Sequence, residues 1–192
     1  MVNVSFVRNE WLQLDPQLNK HRRHPGLLLC DWATAALSAN LIVLNRGMHA
    51  TPSADFEVEL ESTLGTLAAA PHGRAAIIYR STHGVVDGCN NVPDPSPFLP
   101  LPIPSGRNVA FGWHYFREQN AIARRLVEAA GGSYIDVYQS AALRAGAPRP
   151  VTPDPNECVH FCLPGPVDDW NALLFYHVLT QHSGRSRPLT RR

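Results

Sequence analysis

The sequence predicts an α/β domain built on a mostly parallel sheet, and three observations predict it. Short apolar runs of strand length, Leu41–Leu44 and Ala75–Arg80 among them, alternate with longer stretches of helical spacing. Such alternation makes βα units, whose crossovers place neighbouring strands parallel. The chain has 192 residues and is 44% apolar, enough for one packed core and too short for two full domains. The expected domain runs over 1–182, with a basic, frayed tail over 183–192.

Taken in order, Val2, Val4 and Phe6 alternate with Asn3 and Ser5, a strand pattern that starts with no lead-in. This predicts a domain whose first part lies upstream. The basic cluster Lys20–His24 reads as a solvated loop, and Asp31–Ala39 as a short helix. Leu41–Leu44 is continuously apolar, as for a strand buried on both faces. Ser53 is the expected N-cap of a helix over Ala54–Ala70, with Phe56, Leu60, Leu64 and Leu67 on one side. Six prolines between Pro93 and Pro104 make His83–Gly112 a long loop. Trp113–Ala130 is the clearest helix, carrying Phe116, Ala123, Leu126, Val127 and Ala130 on one face. Gly131-Gly132 end it. Tyr134–Tyr138 reads as a third interior strand. A second proline-rich loop, Pro148–Pro155, leads to Glu157–Cys162. Asp168 or Asp169 is the expected cap of a last helix, whose apolar face is Trp170, Leu173, Leu174, His177 and Val178. Trp32, Trp113 and Trp170 read as core anchors, and His177 as a satisfied, partly buried histidine.

Charge excludes several function classes. Sixteen of seventeen basic residues are arginine, but sixteen acids leave a net charge of +1, so no field steers the chain to nucleic acid or anionic lipid. No apolar run reaches the roughly 18–20 residues of a membrane span. Met1–Glu10 lacks the basic and apolar regions of a signal peptide.

In a parallel sheet, sites form at the carboxyl ends of the strands. Three segments fall there: Asn45–His49, Arg80–His83, and the loop after Tyr138 that carries Glu157 and His160. Glu157 lies three residues before His160, a spacing that lets a carboxylate reach imidazole Nδ1 and leaves Nε2 outward as a general base. Asp154 is a rival partner. Cys158, His160 and Cys162 alternate, which admits zinc, but the spacing matches no standard structural zinc pattern.

Glu157–Tyr176, ECVHFCLPGPVDDWNALLFY, resembles the C-terminal signature of the PC-esterase family, which includes the trichome-birefringence-like polysaccharide O-acetyltransferases. That family carries Asp-Cys-x-His-Trp-Cys-Leu-Pro-Gly and then Asp-x-Trp-Asn. Asn45-Arg46-Gly47 resembles its Asn-x-Gly-His block, and Arg80–His83 with Gly88-Cys89 its Arg-Thr-x-Ser-Pro-x-His … Gly-x-Cys block. The resemblance implies a three-layer GDSL/SGNH-hydrolase-like fold and serine acyl-transfer chemistry on carbohydrate, as O-acetyltransferase or acetylesterase. It makes His160 the general base, Glu157 its holder, Asn45 an oxyanion donor and Gly47 a point of close backbone approach. By position, Arg80 at a strand end reads as a substrate contact or a structural ion pair, and His83 and His49 as candidate pocket residues. The resemblance also implies a Cys89–Cys158 disulfide, with Cys162 left to Cys30 or an upstream cysteine. No cofactor or metal is expected, and any membrane anchor would lie outside this chain. The implied location is the secretory pathway, in the Golgi lumen or outside the cell.

Two departures stand out. Glu157 replaces the family's Asp, moving the carboxylate by about 1 Å. No Gly-Asp-Ser occurs in the 192 residues, so the nucleophile is expected upstream with the first, central strand, or lost; in the second case the chain is an inactive glycan-binding relative. The expected geometry is a Glu157 carboxylate within about 2.6–3.2 Å of His160 Nδ1. Asn45 and His160 are expected at one sheet edge, roughly 6–10 Å apart.

Overall fold

The structure is a computed structural model and describes residues 3–6, 12, 33–47, 51–69, 75–86, 89–91, 93, 112–144, 146–147 and 158–183. Three parallel strands form its centre: β1 (Leu41–Leu44), β2 (Ala76–Arg80) and β3 (Ser133–Ile135), in the order β1-β2-β3. The register pairs Leu44 with Tyr79 and Arg80 with Ile135, so all three strands end at one edge. Among the described residues five α-helices surround them: α1 (Ala33–Ser38), α2 (Ser53–Ala68), α3 (Phe116–Ala129), α4 (Tyr138–Leu143) and α5 (Pro166–Ser183).

Side-chain alternation along the strands divides the core in two. Ile42, Leu44 and Tyr79 face α2 and α3, where they pack with Phe56, Leu60, Leu64, Leu67, Ala123 and Val127. Ile78, Ile135, Val137 and Ala141 face the other way, onto Trp170, with Leu41, Leu174 and Val178 at the margin. Helices therefore cover both faces of the sheet, and the chain is α/β in three layers, consistent with an SGNH-like fold. A third cluster gathers Val85, Cys89, Trp113, Phe116 and Cys158 beside the sheet edge.

Several expectations change. Residues 3–6 form no strand, and Val4 and Phe6 are 89% and 90% exposed. Alternation alone makes no strand without a partner ladder. Val43 is 45% exposed, so β1 is not buried on both faces: it shares the face that Trp170 covers over Ile78, and that cover does not reach it. Pro52, not Ser53, precedes the first turn of α2, and the Ser53 hydroxyl bonds Glu118 on α3. The third strand stops at Ile135 rather than Tyr138. Asp136 Oδ1 accepts the Tyr138 N–H at 2.8 Å and starts α4, a short helix that begins at the last residue of the expected strand and runs on where a loop was expected. The N-cap of α5 is Gly165: Asp168 Oδ2 accepts the Gly165 N–H at 2.7 Å while Asp168 N donates back to Gly165 O. Pro166 takes the first helical position, where its missing N–H costs nothing. Leu173 is 40% exposed, outside the buried face of α5. Asp31, Trp32, the Lys20–His24 cluster and the proline-rich loops over 94–111 and 148–155 lie outside the described residues.

Tyr79 links the core to the site edge. Its ring is fully buried, and its hydroxyl donates to Arg46 O at 2.9 Å and accepts from Arg46 N at 3.3 Å. Tyr79→Phe leaves the Arg46 N–H without its partner in a buried place. The expected loss is about 1–3 kcal/mol of stability, read by urea denaturation. Burial also pushes the phenols of Tyr79 and Tyr134 upward, Tyr134 to about 12. A phenol raised in the folded state keeps its proton there while the unfolded chain releases it near pH 10. Stability from this source is fully present below about pH 10 and falls as pH rises through the folded values. Denaturation midpoints measured from pH 8 to pH 11 should be flat first and then decline.

Candidate functional site

The carboxyl ends of β1 and β2 are joined by short polar bonds. Asn45, just past β1, donates from Nδ2 to Arg80 O at 2.9 Å and more weakly to Thr82 Oγ1 at 3.4 Å. Thr82 Oγ1 in turn donates to Arg46 O at 2.7 Å. Gly47 sits against this threonine with φ +148°, and a Cβ there would lie 2.1 Å from Thr82 Oγ1. Only glycine admits that approach. Arg46 turns back into the protein, where it pairs with Glu59 and covers the Phe56 ring at 5.3 Å.

Beyond β2 the chain stays buried though it is no longer strand. Ser81, Thr82 and His83 are 0%, 1% and 2% exposed. Their backbone groups still need partners. Ser81 N continues the ladder to Ile135 O at 2.9 Å, and Ser81 Oγ accepts the Val137 N–H at 2.7 Å. Asn120 on α3 takes both sides of Thr82: its Oδ1 accepts the Thr82 N–H at 2.9 Å, and its Nδ2 donates to Thr82 O at 2.8 Å. Sequence reasoning missed Asn120 and Thr82. The available signal was a pair of amides, Gln119 and Asn120, on the buried side of a helix with Phe116, Ala123 and Val127.

His83 joins this edge to the His160 segment. Its Nε2 lies 3.1 Å from Val159 O, and its Nδ1 lies 3.0 Å from Gly84 O. The imidazole stacks on Trp170 at 5.1 Å and meets the edge of Phe161 at 5.3 Å. The Cys89–Cys158 disulfide, with Cα atoms 5.8 Å apart, ties the chain after β2 to the residue before Val159. His160 itself is exposed, between half-buried Val159 and Phe161. Asn45 and His160 are thus carried by segments that both bond to the stretch Arg80–His83. Glu157, Asp154 and His49 lie outside the described residues, as does Cys30; Cys162 is a half-buried free thiol.

Downstream, Gly165 is held close to Cys162, where a Cβ would lie 2.5 Å from Cys162 O. This tight turn sets the start of α5 and so places Trp170. Arg80 lies over the Trp170 ring at 4.9 Å. Arg80 Nη1 and Trp170 Nε1 are both shielded from solvent and donate to nothing among the described residues. No carboxylate among the described residues pairs with Arg80, and burial pulls its guanidinium below the usual arginine range. A cation–π contact contributes about 0.5–2 kcal/mol. It does not replace the hydrogen bonds of a charged donor, whose burial unpaired costs about 1–3 kcal/mol or more. Among the described residues no group of three His, Cys, Asp or Glu is placed to hold a metal ion.

Residues 131–177 match the model of the PC-Esterase family, described as the GDSL/SGNH-like acyl-esterase family found in Pmr5 and Cas1p. Comparison with curated proteins and with solved structures finds no match. The matched segment spans β3, α4, the His160 turn and most of α5.

The disulfide closes a long loop, with 69 residues of sequence separation. Cross-linking over such a distance stabilises mainly by restricting the unfolded chain. Replacing Cys89 and Cys158 together by alanine should cost about 2–4 kcal/mol, seen as a lower melting temperature. The same loss should follow from adding a thiol reductant to the unmodified chain.

Proposed function

We propose that this chain carries the base-bearing part of a carbohydrate O-acetyltransferase or acetylesterase. The observation that carries the reading is the PC-Esterase match over 131–177, which contains the whole His160 turn. The coarse class, acyl-ester chemistry, comes from that family description; the carbohydrate substrate and the residue roles are the proposal.

In this reading a serine hydroxyl, supplied by a Gly-Asp-Ser segment outside these 192 residues, attacks the acyl carbonyl. His160 takes the serine proton as the C–O bond forms, and returns it to the leaving oxygen as the tetrahedral adduct collapses. A sugar hydroxyl or water then repeats the step in reverse. Glu157 orients His160 and stabilises its imidazolium. The exposed ring of His160, next to the Cys89–Cys158 disulfide, supports a role that meets substrate. Asn45 serves the developing oxyanion by giving up its longer contact to Thr82 Oγ1, while the 2.9 Å bond to Arg80 O keeps the amide in place. Gly47 keeps the Asn45 turn close to Thr82. His83 holds the Val159 carbonyl, and through it the residue before His160.

The proposed compartment is the oxidising secretory pathway, which a disulfide supports. No helix among the described residues is long and apolar enough to cross a membrane. A second reading, a glycan-binding relative without turnover, is favoured by one feature: the 192 residues hold no Gly-Asp-Ser.

The test compares the 192-residue chain with a longer product of the same gene that includes an upstream Gly-Asp-Ser. The short chain should hydrolyse an aryl acetate no faster than its His160→Ala variant. The longer one should gain about a thousandfold or more and lose it again on His160→Ala. Turnover by the short chain that vanishes in His160→Ala would place the nucleophile within it. Saturable glycan binding by a long chain with no turnover would establish the second reading.

A further inference from the structure

We propose that His83 is a positioning residue whose second proton fastens the His160 segment to the carboxyl edge of the sheet. Both ring nitrogens of His83 face carbonyl oxygens: Nδ1 lies 3.0 Å from Gly84 O, and Nε2 lies 3.1 Å from Val159 O. A carbonyl oxygen only accepts, and a neutral imidazole has one N–H to give. The neutral ring therefore serves one of these carbonyls and turns a lone pair toward the other. Only the imidazolium donates to both. Gly84 is the next residue in the chain, whereas Val159 is 76 positions away. The neutral ring keeps its proton on Nδ1, in the common pairing of Nδ1–H with a backbone carbonyl. The bond to Val159 then forms when Nε2 takes up the second proton.

The surroundings hold the ring in this pose and weigh on its charge. His83 is 2% exposed, stacks on Trp170 with 23° between the ring planes, and meets the edge of Phe161. The face of an indole attracts a cation, and so do two carbonyl dipoles. Burial opposes the second proton, as does Arg80 of β2, which lies over the same Trp170 ring at 4.9 Å. The titratable groups of the His160 segment are His160 itself and the Cys162 thiol. On α5, Asp168 accepts the Gly165 N–H, Asp169 pairs with Arg144, and His177 stands two turns beyond Trp170. Asp136, after β3, is bonded to Ser81. Favourable and unfavourable influences thus meet on one imidazole, the side chain whose charge changes near neutral pH. Acidification supplies Val159 O with an Nε2–H donor, and that carbonyl is in the peptide group that carries the His160 N–H. The inference rests on the acyl-transfer reading only for its use, the placing of His160. It is measured without turnover, so its failure leaves that reading standing, and failure of the activity test leaves the tie standing.

The experiment follows the full 192-residue chain, labelled with nitrogen-15, from pH 8 to about pH 5, the range in which imidazoles change charge. Long-range proton–nitrogen spectra read both ring nitrogens of the nine histidines, and His83→Asn identifies the His83 set. The backbone amide of residue 160 shares its peptide group with Val159 O and reads the bond to it. That amide is followed in His160→Ala, which removes the titration of the residue's own ring. On acidification His83 should pass from Nδ1–H alone to two N–H groups, and the residue 160 amide should shift with the same midpoint. His83→Gln puts an amide N–H where Nε2 stands, so the residue 160 signal should hold its acid position at every pH. His83→Asn puts one where Nδ1 stands, so the signal should hold its neutral position. The amide signals of β1, β2 and β3 report that each variant is folded. Where neither variant folds, the titration of the chains that keep His83 decides alone. A His83 ring with one N–H throughout, a ring with two already at pH 8, or a residue 160 amide that ignores the His83 midpoint would overturn the proposal.

Discussion

The arrangement depends on one constraint: the chain leaves β2 without leaving the interior. Ser81, Thr82 and His83 are buried where the ladder ends at the Ser81 N–H, so their remaining polar groups need other partners. Asn120 meets the Thr82 backbone from α3, Ser81 reaches β3 and its following residues, and His83 reaches Val159. Each bond that satisfies this stretch also attaches a different element to it. The same bonds that solve a burial problem therefore gather the Asn45 turn, the end of β3 and the His160 segment at one edge.

A second consequence concerns the two faces of the sheet. Tyr79 and Ile78 are neighbours in sequence and point to opposite sides. Through Tyr79 the α2–α3 side holds Arg46 and with it the Asn45 turn. Through Ile78 the other side meets Trp170 and the start of α5. The site edge thus receives one support from each layer. The disulfide adds a covalent tie between the chain after β2 and the His160 segment, where the described chain has little regular structure to fix the turn.

The residues at this edge divide by what they touch. Gly47, Thr82 and Asn120 set backbone position, and their chemistry is used up within the protein. Arg80 and Trp170 are different, since their donors are buried and unspent. His160 is different again, because it alone among the site histidines described is exposed. Reading function from this edge means separating groups that complete the fold from groups left over after it is complete.

Sequence alone determined the fold class, the α2 and α3 stripes and the signature around His160, because those are local: periodicity, apolar runs and short motifs are written in consecutive residues. It also carried the family resemblance that residues 131–177 support. Boundaries failed where a single polar side chain decided them, as when Asp136 started α4 at Tyr138, where the end of a strand and then a loop were expected, and Asp168 moved the cap of α5 back to Gly165. The reading of Trp170 as a core anchor was correct as far as burial goes, yet its unpaired N–H beside Arg80 follows only from packing two segments far apart in sequence. Asn120 is the same kind of case: nothing within its helix says that its amide is matched to Thr82. Tertiary structure decided these because the satisfaction of a buried polar group is a property of its neighbours in space, and sequence spacing does not encode them.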